Sequence, residues 1–137
     1  MTVLNAHPGL GQTVRGLALV ARDNFSARYD LDRIRGVFSR PAHALYGQSY
    51  AGRILVLNTV KGGVASAWML RDMAARGLIP AAFLFNRVNP IMAQGAAFAG
   101  AALMDRFDGD VTALITTGDE LLVEPAQGRV TILARAR

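Results

Sequence analysis

The feature that most constrains the fold is an apolar run that passes through two glycines into an apolar-faced helix. Residues 54–60 are typical of a buried β-strand, and the turn Lys61-Gly62-Gly63 separates them from residues 64–70. Such a turn leaves free backbone N–H groups at the positive end of the helix dipole, where an anion can approach closely. Lys61 adds an ammonium group and is the only lysine in the chain. The turn is therefore the first candidate site.

The turn does not match the common phosphate-binding loops. It lacks the G-x-x-x-x-G-K-S/T pattern of a P-loop and the G-x-G-x-x-G pattern of dinucleotide-binding proteins. Two interpretations stay open: the N–H groups and Lys61 bind a carboxylate or phosphate, or the segment is a tight connection with a solvated lysine. Ser66 also has two interpretations, as the N-cap of the helix or as a catalytic hydroxyl.

Composition excludes several classes of function. The chain of 137 residues contains no cysteine, which excludes disulfides and thiolate nucleophiles and requires that any iron–sulfur cluster be held by another chain. The net charge of +5 comes from scattered arginines, so nucleic-acid binding is not expected. No apolar run reaches the roughly 18 residues of a membrane span, so we expect a cytoplasmic protein without a membrane partner. Hydrophobic residues make up 52% of the chain, a high share that is consistent with a partner interface.

Periodicity predicts a βαβ unit in the middle of the chain. Apolar residues at helical spacing predict a helix over Ser66–Arg76, ended by Gly77. A second strand is expected over Ile79–Phe85, after a short connection. Trp68 and Phe83 fall at core-facing positions of these elements, and both are predicted to be buried.

Weaker patterns complete the order of elements in a single domain over residues 1–137. Residues 1–11 are rich in turn formers and are expected to be a loose arm, and residues 24–50 form a long polar excursion that is functional or faces a partner. The remaining expected elements are a strand over 13–21, a helix over 91–100, a strand over 101–107, a helical turn over 110–115 and a hairpin of 120–124 with 129–133. The fold class is α/β, with a βαβ unit and a C-terminal hairpin.

The other polar residues form no metal or catalytic set. His7 and His43 have no second ligand at metal spacing, so no metal site is predicted. Asp119 follows Thr117-Gly118 and is interpreted as a turn residue. No Ser-His-Asp or Cys-His set can be assembled from this sequence.

Several of these segments, taken in order, resemble the swivel domain, or small subunit, of the aconitase X family. The resemblance runs from about residue 16 to residue 133 and rests on the strand ending at Leu57, the glycine turn, the helix closed by Gly77, Pro80-Ala81-Ala82, Asn89-Pro90-Ile91, Gly95 and Thr117-Gly118-Asp119. It implies a single swivelling β/β/α domain. It also implies an iron–sulfur dehydratase in which a larger aconitase X-type subunit carries the cysteine ligands, while this chain binds no cofactor and closes over the substrate.

The resemblance also implies roles for residues of the turn. Family members commonly have a loop of the G-R-G-S type, in which the arginine contacts the substrate anion and the serine is the catalytic base. This chain has Lys61 at the arginine position and Gly63 at the serine position. The predicted substrate-binding residues are therefore Thr59, Lys61, Gly62 and Gly63. The base is predicted to be the hydroxyl of Ser66, with Thr59 or a group of the partner as alternatives.

Activities known in the family are dehydration of cis-3-hydroxy-L-proline and of mevalonate 5-phosphate. The predicted function is therefore that of the small subunit of a heteromeric hydro-lyase, inactive alone, which acts on a small hydroxy acid resembling cis-3-hydroxy-L-proline. A phosphorylated substrate is less favoured because the chain has no P-loop. The alternative is a non-catalytic interaction or regulatory subunit that keeps the swivelling fold.

Overall fold

The core of the computed structural model is a seven-stranded sheet, and the structure describes residues 1–136. In chain order the strands are β1 (Thr2–Asn5), β2 (Val14–Val20), β3 (Leu31–Asp32), β4 (Val37–Phe38), β5 (Ile54–Thr59), β6 (Ala82–Arg87), β7 (Ala102–Met104), β8 (Glu120–Glu124) and β9 (Arg129–Ala134). The helices are α1 (Val64–Ala75), α2 (Pro90–Ala99) and α3 (Val111–Leu114). No helix among the described residues is long and apolar enough to cross a membrane.

The sheet has a parallel half and an antiparallel half. Its strand order is β1-β9-β8-β2-β5-β6-β7, with a separate two-stranded hairpin of β3 and β4. The strands β2, β5, β6 and β7 run parallel, whereas β8 pairs antiparallel with both β2 and β9. The predicted α/β class, the βαβ unit of β5, α1 and β6, and the C-terminal hairpin of β8 and β9 are confirmed.

Both faces of the parallel strands are covered. Leu55 and Leu57 of β5 share one core with α1, α2 and the excursion between β2 and β5. Ile54 and Val56 point to the other side, into a core with α3 and the antiparallel strands. All four side chains are fully buried, which explains why the run reads as continuously apolar instead of alternating.

The N-terminal segment differs from the expected loose arm. Thr2–Asn5 forms β1, which pairs antiparallel with β9 and brings Leu4 into the core. The turn formers of residues 8–11 dominate the local pattern, but the free edge of β9 offers hydrogen bonds to any short run of β-formers. The prediction of an arm is therefore wrong for this part.

The predicted boundaries of the βαβ unit shift by a few residues. The second strand begins at Ala82, opposite Ile54 of β5, and not at Ile79. Pro80 has no N–H for the ladder, so regular pairing starts after it. The helix begins at Val64, and its N-cap is Gly63. The interpretation of Ser66 as the N-cap is therefore wrong.

Trp68 is the clearest departure from the predicted core. Its side chain is 62% exposed, whereas Phe83 is fully buried as predicted. The buried residues of α1 are Ser66, Leu70 and Met73, at helical spacing. Trp68 follows Ser66 by two positions, which places it on the opposite side of the helix.

The turn between β5 and α1 depends on Gly62. This residue has a φ of +120°, a region that L side chains rarely adopt, and a Cβ atom there would collide with the Ser66 hydroxyl. Gly63 has a φ of −117° and open space around the position of a Cβ atom. The shape of the turn therefore requires glycine at the first position and not at the second.

The two long helices pack closely because Gly95 has no side chain. A Cβ atom on Gly95 of α2 would lie 2.7 Å from the Ala67 Cα atom and 2.8 Å from the Ala67 Cβ atom of α1. Contacts this short are not tolerated, so a larger residue must push the helices apart.

We expect Gly95→Leu to lower the free energy of unfolding by about 1–3 kcal/mol, because the added side chain overpacks the interface of α1 and α2. Urea denaturation measures the change. Ala97→Leu is the matched control, since Ala97 lies on the exposed side of α2. Equal stability of the two variants would contradict the close packing.

We expect Gly62→Ala to lower the free energy of unfolding by about 1–3 kcal/mol, because alanine cannot easily adopt the positive φ or avoid the Ser66 hydroxyl. Gly63→Ala should change it by no more than about 0.5 kcal/mol. Thermal or urea denaturation of both variants tests this difference. The reverse order would show that the second glycine sets the turn.

Candidate functional site

Two clefts flank the carboxyl end of β5, at the edge of the sheet where α/β proteins commonly bind ligands. The Lys61 cleft has a volume of about 340 Å³ and is lined by Asp23, Asn24, Phe25, Ser26, Tyr29, Asp30, Arg40, Lys61 and Gly62. The Arg106 cleft has a volume of about 590 Å³ and is lined by His7, Asn58, Thr59, Asn86, Arg87, Arg106, Phe107, Asp108, Gly109 and Asp110. The sequence-predicted turn borders the first of these clefts.

The excursion after β2 forms the wall of the Lys61 cleft that faces the turn. Three backbone hydrogen bonds join it to the end of β5: Asn58 N–H to the Asp23 carbonyl at 2.8 Å, Phe25 N–H to the Thr59 carbonyl at 2.8 Å, and Lys61 N–H to the Phe25 carbonyl at 2.7 Å. The Thr59 hydroxyl also donates to Asn24 Oδ1 at 2.7 Å. Both walls of the cleft are therefore fixed by one continuous ladder.

His43 supports this wall from behind. Its Nδ1 accepts from the Leu45 N–H at 3.0 Å, so the proton is on Nε2, which donates to the Asn24 carbonyl at 2.8 Å. The ring is buried and stacks on Phe38 at a centroid distance of 4.7 Å. His43 is therefore a structural residue that positions the Asn24 carbonyl.

The Lys61 cleft holds charges of both signs. Arg40 Nε donates to Asp30 Oδ1 at 2.6 Å, and Asp30 Oδ2 accepts from the Ser26 N–H at 2.8 Å. Asp30 is 3% exposed, so it fixes the half-buried guanidinium of Arg40 at the border of the cleft. Lys61 is exposed and makes no ion pair or side-chain hydrogen bond with another residue in 1–136. Its ammonium is thus available to a ligand.

Asp23 supplies a second charge to this cleft, and its carboxylate makes no hydrogen bond to a charged side chain. Burial raises the pKa of its carboxyl, but hydrogen bonds from the Ala44 and Asn24 N–H groups, together with the electrostatic effect of His43 and Arg40, outweigh this effect, and the net pKa lies below the ordinary value. Its side chain remains 28% exposed. Asp23 is therefore an anion at neutral pH with part of its carboxylate open to the cleft.

The N-terminus of α1 lacks the side-chain cap that the other helices have. Asn89 caps α2 by accepting from the Met92 N–H, and Asp110 caps α3 by accepting from the Thr112 N–H. At α1 the N-cap is Gly63, which has no side chain, and the first turn contains no acidic residue. The first N–H groups of α1 thus have no carboxylate or hydroxyl partner among residues 1–136, and they lie next to the only lysine of the sequence.

The Arg106 cleft is built on a chain of amide and carboxylate groups at the strand ends. Asn86 Nδ2 donates to Asn58 Oδ1 at 3.0 Å and to Asp110 Oδ1 at 2.9 Å, while Asn86 Oδ1 accepts from the Val111 N–H at 2.9 Å. Hydrogen bonds from Thr112 and Asn86 lower the pKa of Asp110. Arg106 has a φ of +58°, the only positive value at a non-glycine residue within 1–136. This cleft is polar and ordered, with both acidic and basic side chains.

The structure separates the sequence-predicted residues into three groups. Lys61 and Gly62 line the Lys61 cleft, and Thr59 lines the Arg106 cleft. Gly63 is exposed at the start of α1 and lines neither cleft. Ser66 is 7% exposed, lies beneath Gly62 and also lines neither cleft, so its catalytic role stays a prediction.

Sequence reasoning missed the residues that the excursion brings to the turn. Asp23, Asp30 and Arg40 lie 21 or more positions from Lys61, and the sequence does not indicate which part of a long polar excursion returns to β5. The sequence does contain a signal for the Arg106 cleft. Asn58 of β5 and Asn86 of β6 each directly follow an apolar run, so both mark the polar end of a strand.

The described residues do not offer a binding site for an iron–sulfur cluster. The chain has no cysteine, and within 1–136 no three His, Cys, Asp or Glu side chains are grouped so that they could hold a metal ion. This donor set does not fit such a cluster.

Comparisons with known proteins agree on one family. The profile described as "Aconitase X swivel domain" matches residues 3–132. The phosphomevalonate dehydratase small subunit of Methanocella arvoryzae is 28% identical over 129 residues, which cover 94% of this chain and 98% of that protein. The protein of the same name from Methanothrix thermoacetophila is 35% identical over 103 residues, 75% of each chain.

The fold comparison gives the same result. The crystal structure of Thermococcus kodakaraensis aconitase X in its holo form is similar with a TM-score of 0.90 and 25% sequence identity, over 97% of this chain and 99% of that chain. The predicted swivelling β/β/α fold is confirmed. With the profile match over nearly its whole length, this chain belongs to the aconitase X swivel domain family.

Proposed function

We propose that this chain is the small subunit of an aconitase X-type hydro-lyase and that it binds the substrate carboxylate in the Lys61 cleft. The observation that carries the proposal is the lone lysine beside an uncapped helix N-terminus in a member of this family. Relatives named as small subunits of a dehydratase support a larger partner. Lys61 supplies the cation within the cleft, and the N-terminus of α1, which begins two residues after Gly62, adds its positive dipole end at the border of the cleft.

The residues of this chain would act by binding and orientation. Lys61 contacts the carboxylate as a point charge, whereas Arg40 is paired with Asp30 on the opposite wall. A partner seated over the open cleft would exclude water and strengthen the interaction between Lys61 and the carboxylate. Neither Thr59, whose hydroxyl donates to Asn24, nor the covered Ser66 faces the Lys61 cleft. We therefore propose that the base that removes the substrate proton comes from the partner.

The cofactor of the proposed complex would belong to the larger subunit. The side chains within residues 1–136 do not fit an iron–sulfur cluster, and the family resemblance implies cysteine ligands on the partner. The chain would therefore be inactive and colourless when purified alone.

The charges of the Lys61 cleft favour a substrate with one carboxylate and one ammonium group. Lys61 and Asp23 are the charges of the cleft that make no hydrogen bond to a charged side chain, because Arg40 bonds Asp30 and the His43 Nε2 near Asp23 donates to the Asn24 carbonyl. A small cyclic amino acid such as cis-3-hydroxy-L-proline carries the complementary pair of charges. A phosphorylated hydroxy acid, as the names of the relatives suggest, would bring more negative charge beside Asp23. We therefore propose a zwitterionic hydroxy acid as the substrate.

A non-catalytic interaction subunit is the second candidate. The observation that favours it is Gly63, which stands where the family loop commonly has a serine and has no side chain to act as a base. In that case the chain would bind the larger subunit through the same fold, and changes at Lys61 would leave the activity of the complex unchanged.

We expect the complex with the larger, cysteine-containing subunit to dehydrate a hydroxy acid that neither chain converts alone. In this complex Lys61→Ala should lower kcat/KM by about ten- to hundred-fold, because it removes a charge-assisted hydrogen bond. Lys61→Arg should restore part of the activity. Steady-state kinetics with a panel of hydroxy acids, together with the Tm of each variant, measures these effects.

The control for Lys61 is Arg35→Ala, which removes an exposed cation of the excursion that lines neither cleft. This variant should keep the kinetics of the unmodified complex. Full kcat/KM of Lys61→Ala would contradict the anion-binding role and favour the non-catalytic subunit. Activity of the isolated chain would contradict the proposed division between the subunits.

Asp23→Asn tests the proposed substrate class. We expect KM for cis-3-hydroxy-L-proline, or for another zwitterionic hydroxy acid that the complex accepts, to rise about ten-fold or more, because the ammonium group loses its carboxylate partner. KM for an uncharged or phosphorylated analogue should not rise. Competition between a zwitterionic and a phosphorylated compound in one assay gives the ratio of their kcat/KM values directly.

Asp32→Asn is the matched control for this change, since Asp32 also accepts backbone N–H bonds in the excursion but lies outside both clefts. Its KM values should be those of the unmodified complex. If Asp23→Asn raises KM equally for zwitterionic and phosphorylated compounds, the cleft does not select an ammonium group.

A further inference from the structure

Helix α2 is apolar on all sides, although the other residues that the structure describes cover only one side of it. Residues 90–99 of α2 contain no charged residue, and Gln94 is the only residue with a polar side chain. Its buried residues are Met92, Gly95 and Ala96, at the spacing of a single helix face. A helix without a polar face is normally buried all round. The outer face of α2 therefore indicates a surface that another molecule covers.

This face continues onto α1 and forms a groove between the two helices. The α1–α2 groove has a volume of about 200 Å³ and is lined by Val64, Ala67, Trp68, Arg71, Ile91, Gln94 and Phe98. Trp68 is 62% exposed and Phe98 is 67% exposed, on facing helices. Single exposed apolar residues are common on proteins, but a contiguous apolar groove with an aromatic residue on each side marks an interaction site.

The charge of the groove indicates what kind of partner fits it. Arg71 is its only charged lining residue, and its guanidinium lies 5.7 Å from the centre of the Trp68 ring. A second copy of this chain, docked groove to groove, would bring another arginine and no carboxylate. A partner with apolar side chains and a carboxylate opposite Arg71 is complementary instead. Tryptophan and arginine are also the residues that most often dominate the energy of an interface.

The position of the groove points to the proposed larger subunit. Val64 directly follows Gly63, so the groove starts at the turn that carries Lys61. We infer that the larger, cysteine-containing subunit docks on the α1–α2 groove and thereby covers the adjacent turn. This inference rests on the proposed function, because it takes the existence of that subunit from it. It adds the surface of contact and the chemistry of the partner, an apolar segment with a carboxylate that reaches Arg71.

The test is binding of the co-expressed larger subunit to groove variants of this chain. Trp68→Asp and Phe98→Asp should each raise the Kd by about 30-fold or more, as expected for the loss of a central aromatic contact. Arg71→Glu should raise it as well, since it would face the carboxylate. Ile34→Asp is the control, because Ile34 is 74% exposed on the excursion and far in sequence from the groove. The Tm of each isolated variant should stay close to that of the unmodified chain, since these side chains are already exposed.

The outcomes separate this inference from the proposed function. If the unmodified chain binds the larger subunit and the three groove variants bind equally well, the docking surface is wrong and the proposed function stands. If the unmodified chain does not bind that subunit at all, the proposed function fails, and the inference fails with it. If the isolated chain forms a dimer that Trp68→Asp dissociates, a second copy occupies the groove and the inference is overturned.

Discussion

The candidate site depends on the backbone ladder that joins residues 23–25 to residues 58–61. The parallel pairing of β2 with β5 continues past the end of both strands, through the bridge between Phe25 and Val60. These hydrogen bonds hold the excursion and the turn at a fixed separation, so both walls of the Lys61 cleft are tied to the end of the sheet. His43 adds a second support, because its Nε2 bonds the Asn24 carbonyl and lies 3.7 Å from the carboxylates of both Asp23 and Asp30.

The charged side chains of the Lys61 cleft differ in how deeply they are buried. Asp30 is enclosed and needs the Arg40 guanidinium and the Ser26 N–H as partners, since an unpaired buried carboxylate would be strongly destabilising. Asp23 and Lys61 are more exposed than Asp30, so solvent can stabilise their charges in the absence of a ligand. Burial therefore explains why Asp30 needs Arg40, whereas Asp23 and Lys61 remain open to a ligand.

The sequence predicts the helices and strands of this fold better than it predicts the contacts between distant segments. The βαβ unit, the helix that begins after Asn89 and the hairpin around Gly128 all have local signals, namely apolar periodicity, caps and turn residues. Two features have no local signal: the pairing of β1 with the edge of β9, and the return of Arg40 to the turn. Each depends on tertiary contacts between segments distant in the chain. Trp68 is a different case: its apolar side chain predicts burial, but its position in α1 faces away from the buried residues of the helix.

Helix α1 links the two surfaces that the proposed function needs. Its N-terminus has no side-chain cap, and its outer face carries Trp68 in the groove. A ligand anion at the first N–H groups would stabilise the first turn of α1, where Val64 also lines the groove. If the anion stabilises this turn, less conformational entropy is lost when the partner docks, and the reverse also holds. Such coupling is reciprocal. Binding of the substrate anion and docking of a partner on α1 would therefore favour each other without any large movement of the sheet.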